Sequence, residues 1–143
     1  MSEEPQLEIH ATTVQFGRGA VAMLGPPGSG KSSAALELMS RGAVLVADDR
    51  TIVRRRQNRL FVFPPPQIQG MIEVRYVGIL KCEYTENVEL VLAADLDRKE
   101  TERYPVRRRY SLLGCEIDLI FGKFLTNLPA VIVQHLKTSQ WNR

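Results

Sequence analysis

The chain of 143 residues has few cysteines, no long apolar run and no large excess of charge of one sign. Its two cysteines, Cys82 and Cys115, form no CxxC motif, and isolated thiols of this kind are typical of a reducing cytoplasm. No apolar run reaches the roughly 18 residues that a membrane-spanning helix needs. The acidic first ten residues lack the apolar segment of a secretory signal. We therefore expect a cytoplasmic protein without a membrane partner.

The composition excludes several other classes of protein. Apolar residues make up 44% and charged residues 24% of the chain, as is usual in globular proteins. The length corresponds to one domain of roughly 100–200 residues. Such a chain buries about two thirds of its unfolded surface, so it needs no metal or disulfide to fold. These properties exclude disordered, collagen-like and coiled-coil proteins and predict a single domain over residues 1–143.

Arginine supplies most of the basic charge behind the net charge of +3, and it clusters in two places. The clusters are Arg54, Arg55, Arg56 and Arg59, and Arg107, Arg108 and Arg109. Each cluster is either a solvated face of the fold or a surface that recognises phosphate or an acidic partner, because guanidinium groups bind phosphate oxygens at two points. We find no aromatic platform interleaved with these arginines, as a single-strand binder requires, and therefore expect no nucleic-acid partner.

Apolar periodicity and turn residues predict many strands and two helices. A helix is predicted from Ser32 to a stop at Gly42, and a second near the C-terminus has Pro129 in its first turn. One interior helix among many strands predicts a mixed or antiparallel sheet rather than repeated βαβ units. The predicted strands cover residues 7–15, 20–24, 43–47, 72–82, 88–96 and 115–121, with a hairpin over 51–63 that turns near Gln57 and Asn58.

The segment GPPGSGKS at residues 25–32 matches the phosphate-binding pattern G-x-x-x-x-G-K-[ST] and lies between a predicted strand and a predicted helix. Its glycines allow backbone amides to surround phosphate oxygens, and the helix directs its positive end toward the same anion. We expect Lys31 to reach the β and γ phosphates and the Ser32 hydroxyl to bind Mg²⁺. A chance glycine turn, the alternative, does not account for this context. The predicted nucleotide-binding residues are Gly25, Pro26, Pro27, Gly28, Ser29, Gly30, Lys31 and Ser32.

Two adjacent carboxylates, Asp48 and Asp49, end the strand that follows the first helix, so we expect them beside the phosphates. Side chains alternate along a strand, and the two should therefore point to opposite sides. One would accept a proton from an attacking hydroxyl, and the other would face metal-bound water or a neighbouring arginine. The alternative is that the pair only forms a turn or cap before Arg50.

Four segments occur in an order that resembles the catalytic domain of HPr kinase/phosphorylase, also called HPr(Ser) kinase/phosphatase. They are a strand with His10, the loop and helix GPPGSGKSSAALELMSRG, the strand VLVADDR, and the block IEVRYVGIL at residues 72–80. The resemblance extends over about residues 8–130. It points to a short form of the family that consists of the catalytic domain. It implies an α/β P-loop nucleotide-binding domain with a mixed, largely antiparallel sheet and few helices, which uses ATP and Mg²⁺.

The resemblance also implies roles for residues near the phosphates. Lys31 would neutralise the transferring phosphate. Asp49 would be the base that takes the proton from the target serine and returns it in the reverse reaction. His10 would be a catalytic partner beside the phosphates, whereas a histidine on a strand, considered alone, is more often a core residue.

Further roles follow from the same resemblance. Glu73 would be a metal ligand together with Ser32. Arg103 would be the catalytic arginine, which spreads charge away from the phosphoryl group during transfer. The nearby Arg107–Arg109 are the alternative candidates for that role.

The function implied is an ATP-dependent serine kinase that phosphorylates HPr or an HPr-like phosphocarrier protein and so regulates the phosphotransferase system and carbon metabolism. Whether the chain also removes this phosphate by phosphorolysis stays open. Family members are hexamers, which implies a homo-oligomer. Two alternatives differ in class: a small-molecule kinase or other P-loop NTPase, and a non-catalytic nucleotide-sensing module.

Overall fold

A computed structural model describes residues 4–138. This part contains two α-helices, α1 (Lys31–Ser40) and α2 (Leu128–Lys137), and one turn of 3-10 helix at Pro66–Ile68. Neither α-helix is long and apolar enough to cross a membrane. The predicted α/β class with few helices is confirmed. The strands of the same part are β1 (Gln6–Ile9), β2 (Ala11–Phe16), β3 (Gly19–Leu24), β4 (Val44–Ala47), β5 (Thr51–Arg56), β6 (Arg59–Phe63), β7 (Met71–Val74), β8 (Gly78–Lys81), β9 (Val88–Asp95), β10 (Arg108–Leu112) and β11 (Cys115–Phe121).

Most of the strands form one sheet with β9 near its centre. The strand order is β1-β5-β6-β9-β3-β2-β4, and β11 joins the sheet at β9 with β10 on its outer side. β9 runs parallel to β3 and β11 but antiparallel to β6. The remaining ladders described in this sheet are antiparallel. The prediction of a mixed, largely antiparallel sheet is therefore confirmed.

The three mutually parallel strands end at the same edge of the sheet. β3 continues into residues 25–30, β9 into residues 96–97 and β11 into residues 122–125. The register aligns Leu24 and Phe121 with Asp95, the last residue of β9. Ligands of open α/β sheets bind outside the carboxyl ends of parallel strands, so this edge is where we expect a site.

Two apolar clusters hold the sheet and helices together, and they lie on opposite faces of β3 because side chains alternate along a strand. Met23 packs in one cluster with Leu38 of α1 and Ile132 of α2. The preceding side chain, Ala22, packs in the other cluster with Leu60 of β6. The buried face of α1 thus anchors the helix against the sheet, with its first residue at the edge where the parallel strands end.

Two predicted strands need correction, and one strand was missed. The strand over residues 7–15 is two strands that separate at a bend at His10, because β1 pairs with β5 whereas β2 pairs with β3 and β4. Residues 72–82 are not one strand but mostly a hairpin of β7 and β8. It turns near Tyr76, which has a φ of 69°. β10 was not predicted, because its arginines obscured the alternation of Tyr110 and Leu112.

Candidate active site

The glycine-rich loop, residues 25–30, joins β3 to α1. Gly25, Gly28 and Gly30 have φ angles of 146°, 85° and 99°, which favour glycine. A Cβ on Gly25 would overlap the Ser29 side chain, whereas a Cβ on Gly30 would have nothing within 4 Å. Gly30 is the N-cap of α1, so the loop presents the start of the helix to open space.

The loop and the helix start offer polar groups that fit an anion. No side chain caps α1 and no acidic residue lies in its first turn among the described residues, so the first N–H groups of the helix lack a side-chain acceptor there. The buried Ser29 hydroxyl has no hydrogen-bond partner in the part of the chain that the structure describes. Together with the positive end of the helix, these groups form a cradle of the kind that binds phosphate.

Lys31, the first residue of α1, has a buried side chain. Its Nζ donates a hydrogen bond to the Gly25 carbonyl oxygen at 2.7 Å and lies 3.2 Å from Asp49 Oδ1. The ammonium group therefore lies between the glycine-rich loop and a carboxylate. At this position it can neutralise a phosphate group held by the loop.

Asp48 connects three elements through a buried carboxylate. Its Oδ1 accepts hydrogen bonds from Ser32 Oγ at 2.7 Å and from Thr12 Oγ1 at 3.0 Å. Its Oδ2 accepts one from the Glu73 backbone N–H at 2.8 Å. The carboxylate thus joins α1, β2 and β7. Asp48 is the residue that orients the Ser32 hydroxyl, a role that the sequence did not assign to it.

Asp49 differs from Asp48 in both backbone and exposure. Its φ is 66°, a left-handed conformation that aspartate tolerates better than most residues. Its backbone N–H donates to Thr12 Oγ1 at 3.0 Å, and its side chain is 60% exposed. The two carboxylates do diverge, but through a bend after β4 rather than through strand alternation. Asp49 consequently faces solvent beside the Lys31 ammonium.

These side chains line a cavity of about 490 Å³, which we call the first cavity. Several predicted site residues meet there, and Arg75 and Tyr76 of the β7–β8 hairpin complete the wall. The predicted residues in its lining are Pro27, Gly28, Gly30, Lys31, Ser32, Asp49 and Glu73. Arg75 and Tyr76 reach the cavity because the hairpin turns between β7 and β8. This turn was not predicted from the sequence, although Gly78 within the apolar run indicates one.

Two predicted catalytic residues do not line the first cavity. His10 is exposed at the bend between β1 and β2. Arg103 is exposed in the segment between β9 and β10, where its guanidinium carbon lies 5.7 Å from the centre of the Tyr104 ring. Their catalytic roles therefore remain predictions from the family resemblance.

The described residues contain no group of three or more His, Cys, Asp or Glu side chains that would enclose a metal ion. Mg²⁺ does not require such a group, because one or two carboxylates and the substrate phosphates commonly hold it. The Ser32 hydroxyl and the Asp48 carboxylate are hydrogen-bonded to each other, and Glu73 lines the same cavity. These oxygen donors beside a phosphate cradle fit Mg²⁺.

The first arginine cluster is engaged with neighbouring parts of the fold. Arg56 pairs with Glu4 at 2.7 Å, and Arg55 donates to the Leu113 carbonyl oxygen at 2.8 Å. Aromatic rings do lie beneath this cluster: the guanidinium of Arg56 is 4.5 Å from the centre of the Phe61 ring on the paired strand. These contacts favour the interpretation of a structural, solvated face.

The second arginine cluster makes ion pairs at the start of β10, the outer neighbour of β11. Arg107 binds both oxygens of Asp118, at 2.7 and 3.0 Å, and Arg109 lies 3.5 Å from the same carboxylate. Arg108 binds Glu100 at 3.0 Å. Burial would raise the pKa of Asp118, but its pairing with Arg107 and Arg109 holds that pKa below the usual value. This cluster is thus bound to carboxylates of its own fold.

Sequence comparison relates the chain to a family of known kinases. Residues 3–94 match the family described as HPr Serine kinase C-terminal domain. The HPr kinase/phosphorylase of Caldicellulosiruptor bescii is 34% identical over 129 residues, which cover 81% of this chain and 42% of that protein. The HPr kinase/phosphorylase of Shouchella clausii is 38% identical over 139 residues, which cover 90% of this chain and 43% of that protein. The chain therefore spans about two fifths of the length of these relatives.

A solved structure, that of the HPr(Ser) kinase/phosphatase from Coxiella burnetii, has the same fold. The TM-score is 0.78, and the match covers 90% of this chain and 92% of that chain at 24% sequence identity. This likeness concerns the fold, whereas the sequence match over residues 3–94 identifies the relationship. The chain belongs to the family of HPr serine kinase C-terminal domains.

Proposed function

We propose that this chain is the catalytic domain of an ATP-dependent serine kinase that phosphorylates HPr or an HPr-like phosphocarrier protein. The observation that carries the proposal is the arrangement at the mouth of the glycine-rich loop. There the exposed Asp49 carboxylate lies beside the Lys31 ammonium, and the buried Asp48 carboxylate holds the Ser32 hydroxyl. The names of the relatives, which are HPr kinase/phosphorylases, support the choice of acceptor.

Asp49 is the proposed base. Its exposed carboxylate is accessible to an incoming hydroxyl, and its Oδ1 is held beside Lys31 Nζ. The serine oxygen of the acceptor would bond to the terminal phosphorus of ATP, ADP would leave, and the serine proton would pass to the Asp49 carboxylate. In the reverse reaction the same carboxyl group would return the proton.

The other residues would bind and neutralise charge. Lys31 and the N–H groups at the start of α1 would stabilise negative charge on the transferred group. When bound, Mg²⁺ would supply additional positive charge near the phosphates. Ser32 and Asp48 would hold this ion, and Glu73 is the further ligand that the family resemblance predicts.

The surroundings of the first cavity favour a protein acceptor over a small molecule. Tyr76 lines this cavity and is 99% exposed, and Val77 and Ile79 on the same hairpin are also largely exposed. Clustered apolar residues on a surface are typical of sites that bind another protein. A small-molecule kinase would instead enclose its acceptor.

Several parts of the proposal rest on the family resemblance alone. These are the catalytic roles of His10 and Arg103, the homo-oligomer (a hexamer in the family) and the cytoplasmic location. The reverse phosphorolysis activity is proposed on the same basis, since the names of the relatives include phosphorylase.

A labelling assay tests the proposal. The chain is incubated with radiolabelled ATP, Mg²⁺ and the HPr-like carrier of the same organism, and we expect label on a serine of the carrier. Release of labelled phosphate alone would indicate an NTPase or a kinase with another acceptor. Binding of ATP without turnover would indicate a nucleotide-sensing module.

The Asp49→Asn variant tests the base in the same assay. Asparagine has the same size but does not accept the proton, so we expect transfer to fall by roughly 10²–10⁴, the usual contribution of a positioned base. Nucleotide affinity, measured by calorimetry, should stay close to that of the wild type. The control is Glu86→Gln, an exposed carboxylate that lines neither cavity near the loop. Wild-type transfer by the Asp49 variant would exclude Asp49 as the base.

A further inference from the structure

A second cavity of about 500 Å³ lies on the other side of the glycine-rich loop. Besides residues of α1 and α2, its wall includes the loop, residues 96–97 after β9 and residues 122–125 after β11. These segments follow the three parallel strands whose carboxyl ends form the ligand-binding edge of the sheet. The volume is within the range of small-ligand sites. The proposed phosphoryl transfer uses only the first cavity.

We propose that the second cavity binds the nucleobase of the nucleotide and that Phe124 is the residue on which the base stacks. The inference rests on the proposed nucleotide-dependent function and names the part of that site which recognises the uncharged end of the ligand.

The two cavities share part of their wall at the glycine-rich loop. Pro27, Gly28, Gly30 and Ser33 line both of them. A ligand whose phosphates occupy the loop therefore has one cavity on each side into which the remainder of the molecule can extend.

The side chains that line the two cavities indicate which of them the nucleobase enters. The first cavity holds the carboxylates of Asp48, Asp49 and Glu73 and must also admit the acceptor hydroxyl. The second cavity also has charged residues in its wall, the carboxylates Glu37 and Asp97 and the ammonium group of Lys123. The same wall includes the apolar side chains of Leu96 and Leu128. With an aromatic ring beside these apolar side chains and fewer carboxylates than the first cavity, the second cavity suits a flat, uncharged heterocycle better.

Phe124 presents an aromatic ring at this cavity in an unusual way. The residue is 76% exposed, and its φ of 64° is rare for a bulky residue. The turn that carries it is fixed to the end of β9, because the N–H of Gly122 donates to Asp95 O at 2.8 Å and that of Lys123 to Arg98 O at 3.0 Å. Lys123 Nζ lies 5.3 Å from the ring centre. An exposed aromatic ring on a turn whose backbone is hydrogen-bonded to the neighbouring segment is suited to stacking on a nucleobase.

The test compares ATP with tripolyphosphate, which has the phosphates but no base. Affinities of both, with Mg²⁺ present, are measured by calorimetry for the wild type and for Phe124→Ala, Phe124→Tyr and Lys31→Ala. We expect Phe124→Ala to weaken ATP binding roughly 5- to 150-fold, the usual effect of removing a stacked ring, and to leave tripolyphosphate binding unchanged. Phe124→Tyr keeps the ring and should bind ATP like the wild type. Lys31→Ala should weaken the binding of both ligands.

The outcomes separate the nucleobase site at Phe124 from the proposed function. The nucleobase site is refuted if Phe124→Ala binds ATP like the wild type. It is also refuted if this variant loses both ligands equally, which would indicate a structural defect of the loop. Equal affinity of the wild type for ATP and tripolyphosphate would refute the nucleobase site and leave phosphate binding intact. If the wild type binds neither ligand, the proposed function fails and the nucleobase site with it.

Discussion

The glycine-rich edge of the sheet and the arginine-rich strand β10 are both charged, but their charges serve different purposes. At the glycine-rich edge, Lys31 and Asp48 are buried and converge on one cavity, and Asp49 stands exposed at its mouth. At the start of β10, the arginines of the second cluster are partly exposed and bind carboxylates of their own fold, Asp118 among them. A cluster of charge in a sequence therefore does not identify a functional site. Buried groups of opposite charge around an open, polar cradle are what identify the site in this fold.

The strongest test of this contrast is Asp48→Asn. The substitution places an amide among three hydrogen-bond donors, so at least one of them loses its acceptor in a buried position. We expect the free energy of unfolding to fall by about 2–3 kcal/mol. The Mg²⁺ concentration for half-maximal activity should rise at least about tenfold, because the Ser32 hydroxyl loses its orienting partner. Urea unfolding and a Mg²⁺ titration of the transfer rate measure the two effects.

Glu73→Gln is the matched control for the loss of stability expected in Asp48→Asn. The Glu73 side chain is exposed, and only its backbone N–H binds Asp48, so stability should change by less than about 0.5 kcal/mol. A raised Mg²⁺ requirement without loss of stability would support Glu73 as the predicted metal ligand. An unchanged requirement would leave Asp48 and Ser32 as the protein ligands.

The effect of Asp118→Asn should be smaller and should depend on pH. Pairing with Arg107 and Arg109 lowers the pKa of Asp118, so its ionised form stabilises the folded chain above the unfolded pKa, and this contribution is lost as the pH falls through the lowered folded pKa. We expect the variant to be about 1–2 kcal/mol less stable at pH 7, with nucleotide affinity unchanged. Urea unfolding at pH 7 and near pH 3 should show the difference shrinking at the lower pH. A difference that is constant with pH would show that the ion pairs do not cause it.

The smallest effect is expected for Arg59→Ala. This side chain is 69% exposed, and its nearest carboxylate oxygen, on Glu89, is 3.9 Å away. Exposed pairs of this kind contribute little, so the free energy of unfolding should change by less than about 0.5 kcal/mol, with transfer activity unchanged. A loss of carrier phosphorylation at normal nucleotide affinity would instead support the alternative interpretation of the first arginine cluster, a surface that recognises an acidic partner.

Much of the fold was predictable because its signals are local. The apolar runs of β3, β4 and β9, the helix formers of α1 and the turn at Gln57 and Asn58 all lie where the patterns predict them. The errors occur where strand partners decide the outcome. The bend at His10 exists because β1 and β2 pair with different strands, and β10 exists because β11 offers it an edge.

The candidate site was likewise predictable where its signals are local and unpredictable where it depends on tertiary contacts. The residue types and spacing of GPPGSGKS, followed by Asp48 and Asp49, are enough by themselves to indicate a phosphate site, because backbone freedom, a helix start and a nearby carboxylate are properties of residues close in the chain. The tertiary structure alone decided that Asp48 is buried and holds Ser32, that Asp49 faces solvent, and that Phe124 stands on the far side of the loop. These relations join residues far apart in the chain. They arise because β3, β9 and β11 run parallel and end at one edge of the sheet.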